Sequence, residues 1–121
     1  MKQKFGTSIE WELLESSGQL DQLKEESRDQ DILIFKYSTR CGISSMVLSR
    51  LDRAWNSDEM KSVKAYFLDL ITFRDISDSI EQQFQVRHES PQVILIRNGE
   101  PIYNNSHMGI SYPTIKDLVN S

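Results

Sequence analysis

Cysteine is nearly absent from this 121-residue chain, which contains one, Cys41. A single cysteine cannot form an internal disulfide, so the fold has no disulfide framework and needs no oxidising compartment. With two histidines and one cysteine, these residue types alone cannot assemble a closed structural zinc site. The sequence therefore predicts a domain that depends on its hydrophobic core, and it leaves the lone thiol to be explained.

The chain also lacks an excess of positive charge. Its 14 Lys and Arg residues are outnumbered by 18 Asp and Glu residues, which gives a formal net charge of −4. The basic residues are scattered, so no positive field would offset the phosphates of a nucleic acid or an anionic membrane surface. We therefore expect no nucleic-acid partner and no membrane partner.

Long apolar stretches are missing as well. The longest runs, residues 32–35 and 93–96, have four residues each, whereas a helix needs about 20 to cross a bilayer. The two lysines near the N-terminus are not followed by an apolar stretch of signal-peptide length. With no repeat, low-complexity tract or linker, we expect one cytoplasmic domain over residues 1–121.

The spacing of apolar residues predicts strands that alternate with helices. Strand patterns cover residues 9–16, 32–37 and 62–70, and helical patterns cover residues 17–30, 47–55 and 74–86. Residues 91–105 are typical of a hairpin, because Asn98-Gly99 suits the positive φ angles of a type I′ turn. Ser111 can cap a last helix, with Pro113 tolerated in its first turn.

The predicted order of elements is β-α-β-α-β-α-β-β-α. The first three strands would pair in parallel through helical crossovers, and the hairpin would add an antiparallel edge to a mixed sheet flanked by helices. This is the topology of the thioredoxin-like α/β fold, in which the active-site thiol lies between a strand and a helix. Cys41 falls at that position, between the strand at 32–37 and the helix that follows.

Polar residues surround Cys41 in STRCGISS, residues 38–45. Because Cys41 precedes a helix, the N–H groups of the first turn and the helix dipole favour a thiolate. Arg40 adds a positive charge beside it, and the Ser44 hydroxyl can donate to the sulfur. Since such surroundings lower the pKa of a thiol, we predict that Cys41 is partly or largely ionised at neutral pH and acts as a nucleophile.

Pro91 stands directly before the predicted hairpin. In the thioredoxin fold a proline at this place is cis and lies against the active-site cysteine. The residue before it, here Ser90, offers backbone groups to a bound thiol or an extended chain. We therefore predict a cis Ser90–Pro91 bond in contact with the Cys41 sulfur; an ordinary turn proline is the alternative.

Ser44 stands where a C-x-x-C site has its second cysteine. That second thiol normally resolves the mixed disulfide formed by the first. With Ser44 in its place, Cys41 can take a thiol adduct from a partner, but another thiol must then release it. The strand at residues 32–37 also lacks the buried acid with which thioredoxins handle protons. These features predict monothiol disulfide exchange rather than dithiol reduction.

The segment HESPQVILIRNGEPIY at residues 88–103, followed by Ser106-His107, is combined with a single cysteine in C-x-I-S. In these motifs, and over residues 11–119, the chain resembles the YtxJ-like monothiol bacilliredoxins. The resemblance implies removal of bacillithiol from S-thiolated cytosolic proteins, with Cys41 carrying the adduct onward. It implies a small thiol as co-substrate and no tightly bound cofactor.

The expected site combines these observations. The expected catalytic residues are Cys41, Ser44 and Arg40, and the expected thiol-binding residues are Thr39, Gly42, Ser90, Pro91 and His107. Members of the family often have Thr-Cys-Pro-Ile-Ser, so Arg40 and Gly42 are departures from that pattern. Gly42 loosens the first helical turn, while Arg40 supplies a fixed charge. The identity of the small thiol therefore stays open.

Two other functions also stay open. CGIS is close to the C-G-F-S of monothiol glutaredoxins, which hold an iron–sulfur cluster between two subunits, but their T-V-P and G-G-x-D motifs are missing here. A thioredoxin-fold binding module with an inert thiol is the other alternative. A Cys–His hydrolase lacks a third orienting group, so we interpret His88 as a loop residue near the proline and place His107 at the thiol pocket.

Overall fold

The computed structural model describes residues 2–6 and 8–120. The predicted domain, residues 1–121, also includes Met1, Thr7 and Ser121, which lie outside the described residues. The strands are β1 (Lys2–Gln3), β2 (Trp11–Leu13), β3 (Asp31–Tyr37), β4 (Val63–Asp69), β5 (Gln92–Arg97) and β6 (Glu100–Ser106). The helices are α1 (Ser17–Glu26), α2 (Gly42–Ala54), α3 (Arg74–Phe84) and α4 (Tyr112–Val119), with a 3₁₀ helix at His107–Gly109.

The six strands form one sheet in the order β1-β2-β4-β3-β5-β6. Strand β4 pairs in parallel with β2 and β3, β5 runs antiparallel to β3, and β6 runs antiparallel to β5. The predicted parallel crossovers and closing hairpin are therefore confirmed. Strand β1 is absent from the sequence-based prediction, because its two residues, which pair with β2, are too few to show an apolar period.

The turn between β5 and β6 is attached to the end of α1. Asn98 and Gly99 have positive φ angles of 52° and 76°, as the predicted hairpin turn requires. The Asn98 N–H donates to the Ser27 carbonyl and the Gly99 N–H donates to the Ser27 hydroxyl, both at 2.8 Å. Ser27 is buried, so one internal residue fixes this turn to the chain that leaves α1.

Two apolar clusters cover the two faces of the sheet, and the side chains of β3 alternate between them. Leu33 and Phe35 belong to the cluster that includes α2, whereas Ile32 and Ile34 belong to the cluster that includes α1 and α3. By this alternation Lys36 lies on the α1/α3 side of the sheet. It is 0% exposed, which is unusual for a lysine and needs a local explanation.

Two kinds of feature are not found in the part of the chain that the structure describes. No helix there is long and apolar enough to cross a membrane. No group of three His, Cys, Asp or Glu side chains is placed to hold a metal ion. The site that these residues do form is built around a thiol.

Candidate active site

The site lies at the end of the sheet where β3 leads into α2. Lys36 of β3 is aligned with Gln92 of β5. Cys41, which follows β3, and Pro91, which directly precedes β5, therefore lie at the same end of two neighbouring strands. The Ser90–Pro91 peptide bond is cis. The register of the sheet thus brings the predicted thiol and the predicted proline segment to one place.

Cys41 is the N-cap of α2 and is partly exposed. The pKa of its thiol is lowered most by the Ser44 amide and then by the Ile43 amide and the Ser44 hydroxyl, while desolvation, the second-largest effect, acts in the opposite direction. The direction agrees with the prediction for a thiol at a helix start. Because two of these donors are backbone groups of α2, the helix itself stabilises the thiolate.

Ser44 connects the thiol with the end of β3. Its side chain is 0% exposed, and its Oγ accepts a hydrogen bond from the Ser38 N–H at 3.3 Å. The hydroxyl proton of Ser44 therefore remains available for the Cys41 sulfur. A serine at this position can stabilise a thiolate but cannot attack a disulfide, so Ser44 supports the first half of a C-x-x-C reaction and not the second.

Three predicted site residues, Thr39, Arg40 and Gly42, are exposed next to Cys41. Arg40 is not among the groups that lower the pKa of the thiol. Water and salt screen such an exposed charge, so the Arg40 effect expected from the sequence is weaker than that of the helix amides. A Cβ atom added to Gly42 would meet nothing within 4 Å, so space alone does not require a glycine there.

The segment that leads into β5 forms the other side of the site. The His107 N–H donates to the Pro91 carbonyl at 2.9 Å, and His107 Nε2 lies 3.9 Å from a Glu89 carboxylate oxygen. The structure therefore places His107 beside the proline segment. Ser90 Oγ is buried and has no hydrogen-bond partner among the described residues, so its hydroxyl is unused by the fold around it.

Exposed apolar side chains occur on the two elements next to the thiol. Ile43 and Met46, in the first turns of α2, are 41% and 48% exposed, and Met108 of the 3₁₀ helix is 55% exposed. Arg50 of α2 donates to the carbonyls of Met108 and Ile110, which ties the 3₁₀ helix to α2. We call Ile43, Met46 and Met108 the apolar rim. Exposed apolar surface is typical of protein-binding sites.

A cavity of about 830 Å³ runs along α2 on the side of β4. Its lining includes Thr39 and, from α2, Ser45 and Ser49. These two serines follow Cys41 at i+4 and i+8, so they lie on the same side of the helix as the thiol. Thr39, a predicted thiol-binding residue, therefore borders a space large enough for a small molecule.

Lys36 and His88 form a pair that the sequence analysis missed. Lys36 Nζ lies 3.2 Å from His88 Nδ1, whereas the sequence suggested only a loop histidine. Burial lowers the pKa of Lys36 to about 8, against the opposing effect of Glu81 and Asp78. Residues 32–37 contain no acid, but they include a buried base, Lys36. The signal in the sequence was a lysine inside an otherwise apolar strand pattern.

Comparison with known proteins identifies the family. The model of the monothiol bacilliredoxin BrxC family matches residues 12–115, a range that contains the thiol and the proline segment. The chain belongs to the monothiol bacilliredoxin family. The resemblance found in the sequence is therefore confirmed, and so is the prediction of a monothiol site. Membership in this family establishes a role in thiol–disulfide redox chemistry.

Solved structures show which fold the chain adopts. A candidate oxidoreductase with a thioredoxin fold is 27% identical with a TM-score of 0.74, over 90% of this chain and 92% of that one. A thioredoxin from Malassezia sympodialis is 18% identical with a TM-score of 0.68, over 91% and 88%. A thioredoxin from Fasciola hepatica is 13% identical with a TM-score of 0.69, over 89% and 95%. The predicted thioredoxin-like fold is confirmed.

Proposed function

We propose that this protein removes a low-molecular-weight thiol, bacillithiol in the first instance, from mixed disulfides on cytosolic proteins. The observation that carries the proposal is a partly exposed thiol at the start of α2 with a buried serine, Ser44, three residues later. The thiol can accept an adduct, and no neighbouring thiol can discharge it. A small thiol must then act as the second substrate.

The reaction consists of two exchanges of one disulfide for another. The Cys41 thiolate attacks the small-thiol sulfur of the mixed disulfide. A disulfide forms between Cys41 and the small thiol, the original disulfide breaks, and the client leaves as a thiolate. A free small thiol, as its thiolate, then attacks the adduct, forms a symmetric small-molecule disulfide and regenerates the Cys41 thiolate. The electrons balance without a further oxidant or reductant.

The residues around Cys41 have distinct parts in this scheme. The amides of Ser44 and Ile43 stabilise the thiolate that attacks, and the same thiolate is the leaving group when the adduct is discharged. Ser90, which precedes the cis proline, offers backbone groups to the client.

Residues around Cys41 provide a surface for the client protein and candidate contacts for the small thiol. The apolar rim gives a protein client a surface to bind. Two residues beside the thiol are candidates for contact with the small thiol: Thr39, at the border of the cavity along α2, and His107, which bonds to Pro91 and does not line that cavity. Arg40 and Gly42 flank the sulfur, with Arg40 contributing a weak positive field and Gly42 leaving the approach to the thiol open.

The test follows the adduct by intact-mass spectrometry. A client protein that carries a bacillithiol mixed disulfide is mixed with the wild-type chain, and we expect one bacillithiol adduct on Cys41 as the client thiol is freed. Cys41→Ala should abolish the transfer, whereas Ser57→Ala, an exposed serine away from the site, should not change it. A client that keeps its adduct, together with a Cys41 that is alkylated no faster than an ordinary free thiol, would instead support a binding module with an inert thiol.

Two further arms distinguish the small thiol and the cluster alternative. The same client carrying glutathione instead of bacillithiol should transfer its adduct more slowly if bacillithiol is the natural co-substrate. Anaerobic incubation with iron, sulfide and glutathione should leave the protein colourless. A coloured dimer that is lost in Cys41→Ala, together with no transfer from either client, would contradict the proposed function.

A further inference from the structure

Lys36 places a positive charge inside the protein, directly behind the site. Its side chain is 0% exposed on the α1/α3 side of the sheet. A buried ammonium group is costly unless a hydrogen-bond acceptor compensates for lost water. The structure provides an acceptor, His88 Nδ1, at 3.2 Å from Lys36 Nζ. Lys36 is therefore held by the loop that leads into β5.

The contact with Lys36 determines the protonation state and the tautomer of His88. Its Nδ1 lies 3.2 Å from the Lys36 ammonium and 3.3 Å from the Ser77 hydroxyl, both of which can donate. Because the ammonium can only donate, Nδ1 acts as the acceptor, and the imidazole is then neutral with its proton on Nε2. Burial, and then the charges of Lys36 and Arg74, lower the pKa of His88, against Glu81 and Asp78.

His88 is also attached through its backbone. The His88 N–H donates to Glu81 Oε2 of α3 at 2.8 Å. Further along, Gln92 Nε2 donates to the Arg87 carbonyl at 2.9 Å. Residues 87–92 are thus fixed to α3, to each other and, through the imidazole, to β3. The segment held in this way contains Ser90 and Pro91.

We propose that Lys36 and His88 are positioning residues that hold residues 88–91 against the end of β3, where the Ser90 backbone receives a protein client beside Cys41. This inference rests on the proposed transfer of a small thiol from protein clients. Neither side chain is placed at the sulfur. Their effect reaches the reaction through the position of the Ser90 backbone.

The arrangement requires a neutral imidazole. Five groups on two elements are relevant: Lys36 from β3, and Arg74, Ser77, Asp78 and Glu81 from α3. A proton on His88 Nδ1 would face the Lys36 ammonium and break their hydrogen bond. Because the pKa of folded His88 lies below its ordinary value of 6.5, the ammonium–imidazole pair is intact from that value up to about 8, the pKa of Lys36. Below 6.5 the pair is lost as the pH falls through the folded-state pKa of His88.

The main experiment compares two reactions of the same thiol in the variant Lys36→Met. We expect the KM for a bacillithiolated protein client to rise roughly tenfold, because the segment that receives the client is no longer fixed. Alkylation of Cys41 by iodoacetamide, which needs no client, should change by less than about twofold. Lys64→Met is the matched control, since Lys64 pairs with Glu26 elsewhere on the sheet.

Substitutions of His88 provide a rescue and a pH readout. In His88→Gln the side-chain oxygen can still accept from Lys36, so client KM should stay close to that of the wild type. In His88→Ala the ammonium loses this acceptor, and client KM should rise as in Lys36→Met. Below pH 6.5, wild-type transfer should fall faster than Cys41 alkylation does. In His88→Gln the two reactions should fall together.

Several outcomes would overturn the proposal. One is a client KM that is unchanged in both Lys36→Met and His88→Ala. Another is a rate of Cys41 alkylation that falls in these variants as much as the rate of transfer from the client. If Lys36→Met does not fold in a thermal melt, the two His88 variants decide the matter. If the wild type itself transfers nothing, the proposed function fails. NMR titration then tests the pair separately, since Lys36→Met should raise the pKa of His88, and an unchanged value would overturn the pairing.

Discussion

Cys41 and Lys36 lie close together in the chain, and the pKa of each is lowered for opposite reasons. At Cys41, hydrogen-bond donors at the start of α2 favour the charged thiolate. At Lys36, desolvation is the largest effect and favours the neutral amine. A lowered pKa therefore marks a stabilised charge on the thiol and a destabilised charge on the lysine. The same direction of shift has opposite consequences for stability.

The two sites differ in what a charge costs the folded protein. The amides that stabilise the Cys41 thiolate belong to a helix end, which has unpaired donors in any case. Lys36, in contrast, keeps an ammonium group in an apolar layer up to a pH of about 8. That buried charge reduces the free energy of unfolding. Stability therefore does not explain why a lysine is present at position 36, whereas its role in positioning residues 88–91 does.

The largest effect is expected from giving Cys41 a second thiol as its neighbour. In Ser44→Cys the adduct on Cys41 should be discharged internally, because a thiol three residues on can attack it. The small thiol should be released in an amount equal to the protein, and an internal disulfide should remain. Intact-mass spectrometry distinguishes this product from the stable adduct of the wild type.

A cysteine further along α2 is the control for that reaction. Ser49→Cys places a thiol two helical turns beyond Cys41, roughly 12 Å along the axis, which is too far for direct attack. We expect the adduct to persist in this variant. If Ser44→Cys also retains its adduct, Ser44 does not occupy the resolving position and the comparison with C-x-x-C sites is wrong.

The next effect concerns the stability cost of the buried charge. Lys36→Met should raise the free energy of unfolding at pH 7 by about 1–3 kcal/mol, because an apolar side chain of similar length replaces an ammonium. The wild-type chain should also become more stable as the pH rises from about 8 to 10.5, the ordinary value. In that interval the unfolded chain binds more protons. The variant should lack this rise.

Denaturant unfolding at a series of pH values measures both effects. Lys64→Met serves as the control, since Lys64 is partly exposed and paired with Glu26, and it should keep the wild-type rise in stability between about pH 8 and 10.5. A Lys36→Met chain that is less stable than the wild type at pH 7 would show that Lys36 contributes to stability, and the contrast with Cys41 would disappear.

A smaller effect is expected from removing one donor at Cys41. In Ser44→Ala the backbone amide, which contributes most to the lowered pKa, remains in place. The pKa of Cys41 should therefore rise only in part, and alkylation by iodoacetamide at pH 7 should slow without stopping. The Ser38 N–H loses its acceptor, which should cost about 1 kcal/mol of stability. An unchanged alkylation profile would show that the hydroxyl does not reach the sulfur.

The smallest effect is expected at Arg40. Its exposed guanidinium is screened, so Arg40→Gln should change the alkylation rate of Cys41 by less than about twofold, and less again in high salt. Stopped-flow measurements at low and high ionic strength test this. A loss larger than that of Ser44→Ala would show that a side-chain charge, rather than the helix start, governs the thiol.

The lowered pKa of Cys41 can be predicted from the sequence because the groups that cause it are close to Cys41 in the chain. The apolar pattern of β3 ends at Tyr37, and helical spacing appears by Val47, so a thiol between them must lie near a helix start. The weak influence of Arg40 could not be predicted in the same way. It depends on the direction of one exposed side chain, which spacing does not encode.

The contact between Lys36 and His88 could not be predicted, because it depends on how distant segments of the chain pack. Lys36 and His88 are brought together by the pairing of β3 with β5 and by the approach of α3. A single sequence contains no sign of these pairings beyond a lysine in an apolar run. The topology was predictable because crossover connections restrict it strongly; the pairing of individual side chains was not.

The attachment of the β5–β6 turn to Ser27 affects which changes in length this chain can accept. Hairpin tips are often suitable places for an inserted tag or for new chain ends. Here the N–H groups of Asn98 and Gly99 are both bonded to Ser27. An insertion at the tip would break these bonds and free the end of α1. Lengthening of this hairpin, by engineering or by evolution, is therefore restricted by a residue about 70 positions earlier in the chain.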